Sequence, residues 1–250
     1  MPESNLAARL RAMTPARVGL GRTGVSLETR DLLDFERCHA QARDAVHARL
    51  ESAALTSTIR QLTHGQVLRL HSAAADRMTY LQRPDLGRKL DEPSRLALGR
   101  AARSGSDTLA LVVADGLSAL AVERHAAPLI AELLPRIGAW ERAPLCLVEQ
   151  GRVAIGDEIG AALGARIAVV LIGERPGLSS PDSLGAYITW NPHTGRTDAE
   201  RNCVSNIRPE GLNYALAAAQ IACILAEARR LKLTGVALKS EAPRLEDAAR

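Results

Sequence analysis

Three short stretches set acidic residues and glycines directly after apolar runs: ADG at 114–116, EQGR at 149–152 and GERPG at 173–177. Each preceding run reads as a buried strand, in TLALVVADG, PLCLVEQGR and ARIAVVLIGERPG. In an open parallel sheet, ligands lie beyond the carboxyl ends of the strands. One edge of such a sheet is expected to display Asp115, Glu149 and Glu174 on loops that let a ligand approach the backbone. Acidic acceptors among small residues suit a ligand rich in amide or hydroxyl donors. They do not suit a phosphate, which wants a glycine-rich nest and a cation. The plainer reading of Glu174 is a turn carboxylate paired with Arg175 or capping a helix.

No catalytic set stands out. GLSSPDS offers Ser179, Ser180 and Asp182, but no GxSxG elbow. Cys203, in ERNCVSNIRP, reads either as a nucleophile or, with no histidine beside it, as a packing or contact residue. His39, His47, His64, His71, His125 and His193 show no ligand spacing. Cys38, Cys146, Cys203 and Cys223 are widely spaced, with no CxxC or Cys/His cluster, so no protein-bound metal is expected. VGLGRTG holds Gly19, Gly21 and Gly24 in a formal GxGxxG. A dinucleotide site needs a buried strand before the first glycine, and TPAR cannot supply one. A flexible loop joining helices, or one contacting a partner, is expected there instead. GxxxxGK[ST] is absent, which argues against a nucleoside triphosphate.

The elements that would carry these residues follow from periodicity. Residues 4–13 read as a short amphipathic helix, with Leu6, Leu10 and Met13 on one face. Residues 28–53 read as a longer helix, with Leu32, Phe35, Cys38, Ala42 and Val46 at helical spacing. QVLRL suggests a short strand, and 93–103 a helix. From Ser104 the texture changes to strands alternating with helices at 117–136 and in IGDEIGAALG. That alternation argues for a parallel, right-handed α/β sheet. AYITW adds a further strand, 191–211 reads as a long polar loop, and a helix runs on to about Leu233. The expected architecture is α/β: a C-terminal Rossmann-like parallel sheet flanked by helices, preceded by a helical N-terminal region. The expected divisions are 1–104, 105–240 and a frayed tail at 241–250.

The chain has 250 residues and is 46% apolar, with only six aromatics, so its core must be aliphatic and alanine-rich. Of 32 basic residues only Lys89, Lys232 and Lys239 are lysine. The arginine excess reads either as the mark of a GC-rich genome or as a choice suited to ion pairs at protein interfaces. Nucleic acid is not an expected partner: the basic residues are scattered and few aromatics remain for base stacking. No apolar stretch reaches the roughly 18 residues of a membrane helix, and LALVVADGLSALAV is interrupted by Asp115. Cysteine usage and the lack of a signal peptide fit a reducing cytosol.

Several stretches read together point further: TPARVGLGRTG, VVADGLSA, CLVEQGRVAIGDEIG, LIGERPGLSSPDSLGAYITWNP and GRTDAERNCVSNIRPEGL. From about Met13 to Lys239 the chain resembles the small (light) subunit of ethanolamine ammonia-lyase. The resemblance implies a lyase that converts ethanolamine to acetaldehyde and ammonia with adenosylcobalamin. A large TIM-barrel subunit carries the substrate and the radical chemistry, and the small subunit closes the other side of the cobalamin without catalysing. In the family, the valine of EQGRV, the glutamate of GERPG and the cysteine of ERNC contact the cofactor. Here these are Val153, Glu174 and Cys203. Glu174 would accept from the amides that rim the corrin, Cys203 would be a soft contact on the long loop, and Arg175 and Pro176 would hold the turn. The Asp-x-His-x-x-Gly stretch of many cobalamin proteins is absent, in keeping with a family that holds its cofactor base-on. The resemblance also implies a higher hetero-oligomer with the large subunit. Its setting is the cytoplasm, either free or inside a bacterial microcompartment. About a dozen residues precede TPAR, where some members carry a longer extension, which leaves the targeting role of 4–13 open. Two other functions compete: a stand-alone α/β enzyme using a nucleotide, and a ligand-free scaffold subunit. The lack of a phosphate loop counts against the first and the charged strand ends against the second.

Overall fold

A computed structural model describes residues 5–14, 16–101 and 107–238. The frayed tail expected at 241–250 and the boundary expected at 104 lie outside the described residues. The chain opens with α1 (Asn5–Met13), a small hairpin of β1 (Arg22–Thr23) and β2 (Ser26–Leu27), then α2 (Thr29–His47) and α3 (Ser52–Thr63). Next come β3 (Val67–His71), α4 (Arg77–Gln82) and α5 (Glu92–Ala101). The second half holds β4 (Thr108–Ala114), α6 (Ala119–Leu133), β5 (Glu141–Arg142), β6 (Leu145–Glu149), α7 (Ile155–Ala162), β7 (Ile167–Gly173), β8 (Leu184–Trp190), β9 (Arg201–Ile207) and α8 (Tyr214–Leu231).

The sheet runs β3-β6-β4-β7-β8-β9, with β5 paired to β4. The first four are parallel, and β8 and β9 are added antiparallel. The strand QVLRL therefore joins the same sheet, through the register Val67↔Leu145. Strand alternation divides the core in two. Leu109, Leu111 and Val113 point to the side filled by α3, α6 and α8, whereas Ala110, Val112 and Ala114 point to the side filled by α5 and α7. The chain from β4 crosses to one face through α6 and the chain from β6 to the other through α7. Loops leaving neighbouring strands toward opposite faces open a crevice at the carboxyl edge.

Two departures from the periodic reading have local causes. The helix expected over 28–53 ends at His47 and restarts at Ser52, because Ala48 is extended (ψ 144°) and Arg77 Nε takes the Val46 carbonyl at 2.7 Å. The buried face of α3 includes Ser52 and Thr56, which hides its periodicity; the Thr56 hydroxyl is satisfied inside the helix by the Ser52 carbonyl at 2.6 Å. The long polar loop expected over 191–211 contains β9, so Cys203 stands on an edge strand. Arg201, Val204 and Ile207 are its buried positions: Arg201 faces α7, Val204 faces the opposite core, and the register shift against β8 falls between Val204 and Ile207, so no two-residue alternation appears.

Candidate functional site

The carboxyl edge does not display its acids as the three turns suggested. Asp115, at the end of β4, is 2% exposed. It accepts from the Gln150 and Gly151 amides at 3.0 and 3.1 Å and lies 3.8 Å from Arg77. Burial pushes its carboxyl up to about 6, against those hydrogen bonds and the arginine. Its work is internal: it ties the β4 and β6 loops together. Arg77 completes the knot by donating to the Gly116 carbonyl at 2.8 Å. Gly116 has φ +59°, and a Cβ there would run into the Gly173 carbonyl, so glycine lets the β4 loop lie against the end of β7. Glu149 pairs with Arg69 at 3.4 Å, on the β3 side of the sheet.

Glu174 is different. It is half-buried and lines a pocket of about 450 Å³ with Tyr80, Gly116, Arg152, Val153 and Tyr187. Its partner is not the exposed Arg175. Oε2 accepts from the Ser183 hydroxyl at 2.5 Å and the Asn206 amide at 3.2 Å. Its own amide donates to the Ser183 carbonyl at 2.9 Å, which closes the 174–183 loop. A further clasp comes from Gly177 and Ser180, whose amides and carbonyls pair at 3.0 and 3.2 Å. Ser183, Gly177 and Ser180 thus supply the hydrogen bonds of the turn. Oε1 lies over Gly185, where a Cβ would come within 2.8 Å, so a glycine in β8 is what seats the carboxylate over the sheet.

Val153 sits across the same pocket in the turn ahead of α7. Its carbonyl accepts from Gly156 at 3.1 Å. Among the described residues no partner is found for its N–H. Arg152 stacks on Tyr80 at 4.2 Å and donates to the Tyr80 carbonyl at 3.2 Å, which fixes the turn. Cys203 adjoins the pocket through Tyr187, its cross-strand neighbour. Desolvation raises the Cys203 thiol, Tyr187 lowers it and the charge of Glu174 raises it again, with a net rise. A thiol held protonated is a poor nucleophile.

The frame beneath was invisible in the residue pattern. Arg201 of β9 forms a bidentate pair with Asp157 of α7, at 2.7 and 2.6 Å, both side chains almost wholly buried. Arg201 also donates to Thr189 Oγ1 at 2.9 Å. The pair locks the helix that follows Val153 to the strand that carries Cys203. Tyr187 too was missed, because AYITW reads only as a buried strand. Scarcity was the available signal: of six aromatics, two line this pocket. The GxGxxG motif forms the β1–β2 hairpin, with neither a buried strand before it nor a phosphate loop within it. Among the described residues, no three His, Cys, Asp or Glu side chains cluster to hold a metal, and no helix is long and apolar enough to cross a membrane.

Comparison with known proteins gives a consistent result. The family model described as ethanolamine ammonia-lyase light chain matches residues 4–239. The chain is 59% identical over 243 residues to an ethanolamine ammonia-lyase small subunit of Ralstonia nicotianae, covering 95% of this chain and 90% of that one. It is 58% identical over 237 residues to the small subunit of Pseudomonas aeruginosa, covering 93% and 86%. With that of Xanthomonas campestris pv. campestris it shares 56% over 247 residues, covering 97% and 90%.

Proposed function

The chain belongs to the ethanolamine ammonia-lyase light-chain family, and we propose that it is the cofactor-holding, non-catalytic subunit of an adenosylcobalamin-dependent lyase that converts ethanolamine to acetaldehyde and ammonia. Its partner is the large catalytic subunit, in a higher hetero-oligomer within the cytoplasm. The observation that carries this reading is the convergence of Val153, Glu174 and Tyr187, with Cys203 beside it, on one pocket at the carboxyl edge of the sheet.

The residues suit the group. Corrin is rimmed with carboxamides, and Glu174 offers an acceptor seated by Gly185 above the sheet. Val153 offers an N–H with no internal partner among the described residues, and Cys203 a protonated, soft contact. A pocket of about 450 Å³ takes only part of a molecule that large, so a second chain must cover the rest. On the α7 side the sheet leaves Cys203 exposed and Tyr187 half-buried, an open face against which such a chain can close. When bound, the cofactor supplies radical chemistry. This chain's residues hold the rim, orient it and help to keep water from it.

Co-expression with the large subunit, followed by pull-down and a visible spectrum, tests the assignment. The two chains should copurify, take up adenosylcobalamin and release ammonia from ethanolamine, whereas this chain alone with cofactor should release none. Ammonia release by this chain alone, or failure to copurify, contradicts the reading.

A further inference from the structure

We propose that Tyr187 is the hydrogen-bond donor that works beside Glu174, and that the two side chains together read one carboxamide: Glu174 accepts from its N–H and Tyr187 donates to its carbonyl. The inference rests on the cofactor-holding reading above and adds a residue and a recognition rule to it.

Tyr187 occupies the middle of β8, between Val170 of β7 and Cys203 of β9. Its ring borders the α7-side core and lines the same pocket as Glu174 and Val153. A carboxylate only accepts, so a ligand group facing Glu174 must bring a donor. A hydroxyl or an ammonium would meet that need alone. A carboxamide brings an acceptor as well, and that acceptor requires a donor in the same pocket. Among the described residues the Val153 N–H and Arg152 Nε also lack partners, but both belong to the turn ahead of α7, whereas Tyr187 stands two residues along β8 from Gly185, over which Glu174 Oε1 lies. The Tyr80 hydroxyl donates to the Gly151 carbonyl at 3.2 Å, and Arg175 is exposed.

Tyr187 stands opposite Cys203 across the β8–β9 pair, and a thiol sulfur is a weak acceptor that would not hold the phenol against a carbonyl oxygen. Burial, Cys203 and the Glu174 charge all raise its ionisation, so the phenol keeps its proton throughout the working range and remains a donor.

The test uses the complex assembled with the large subunit and reads the adenosylcobalamin Kd by visible absorbance, beside the subunit ratio. Tyr187→Phe should weaken binding roughly 3- to 10-fold, the loss of one neutral hydrogen bond, with the ratio unchanged. Combined with Glu174→Gln, it should cost less than the product of the two single losses, because both contacts serve one group. Cys203→Ala should weaken binding less than Tyr187→Phe does. Normal binding by Tyr187→Phe alongside weakened binding by Glu174→Gln overturns the inference and leaves the site reading intact. Normal binding by both overturns the site reading itself. Fully multiplicative losses, a Cys203→Ala loss as large as that of Tyr187→Phe, or a changed subunit ratio in Tyr187→Phe each overturn the proposed role of the phenol.

Discussion

Asp157→Asn should damage this protein more than any surface charge change, and the geometry says by how much. Asp157 takes two guanidinium hydrogen bonds, at 2.7 and 2.6 Å, with 3% of its side chain exposed and 2% of that of Arg201. Burial by itself would lower Arg201, but the hydrogen bonds and charge of Asp157 outweigh it and leave its affinity for the proton raised. The asparagine keeps the shape, removes the charge and turns one acceptor into a donor facing the guanidinium. Only the exposed Asp198, 3.4 Å from Arg201 Nε, would remain as a counter-ion, and breaking a buried pair in this way costs about 3–5 kcal/mol, which for a chain of this length lowers Tm by roughly 6–20 °C. The thermal melt of the purified chain measures it. Asp157→Leu with Arg201→Met removes both charges and fills the space with apolar atoms, so the double variant should lose less stability than Asp157→Asn alone. A loss below about 1 kcal/mol in the single variant, or a double variant no more stable than the single, refutes the argument that this pair is what joins α7 to β9.

Asp115 gives a pH signature. Its folded pKa, about 6, lies above the ordinary 3.8, so the folded chain binds this proton more tightly than the unfolded one. The group therefore adds stability as pH falls from 6 toward 4, and that contribution is lost as pH rises through 6. Asp115→Asn removes it, so the stability difference, wild type minus variant, should decline between pH 4 and 6; parallel pH profiles would show that the carboxyl titrates normally. Cys203→Ser should leave turnover of the assembled enzyme within a few-fold of wild type, while a nucleophile would be crippled by the change. Val153→Ala should weaken cofactor binding less than Glu174→Gln, because the main-chain N–H survives it; an equal or greater loss would place the contact on the side chain.

The periodic parts of the fold were legible. The strands in TLALVVADG, PLCLVEQGR and ARIAVVLIGERPG are apolar but for Thr108 and Glu149 at their ends because they are buried on both faces, and their shortness and the glycine turns that follow mark them as strands. Two of the missed elements, α3 and β9, have polar residues at buried positions. Ser52 and Thr56 in α3 and Arg201 in β9 read as surface residues until their partners are known, and those partners lie 4 to 44 residues away. The acids at the strand ends look alike for the same reason. Position after a strand does not say which carboxylate will be claimed by backbone amides from a neighbouring loop, as Asp115 is, and which will keep an oxygen over a glycine, as Glu174 does. Val153, Glu174 and Cys203 were assigned through resemblance. The sheet then brings Val153 and Glu174 to one pocket and sets Cys203 next to it, behind Tyr187.

The central claim is that GERPG ends a buried strand with a carboxylate because a cofactor lies beyond it. Glu174→Gln tests it with little disturbance, since the glutamine oxygen can still accept from Ser183 and Asn206 and hold the loop. The amide nitrogen then falls where Oε1 lay and presents a donor to a ligand that brings donors. The measurement is the adenosylcobalamin Kd of the complex assembled with the large subunit, taken beside its subunit ratio. Loss of a charged hydrogen bond, roughly 1.5–3 kcal/mol, predicts binding weaker by about one to two powers of ten with the ratio unchanged. Normal cofactor binding, or a complex that fails only to assemble, would mean that the charged turn serves the fold and not the cofactor.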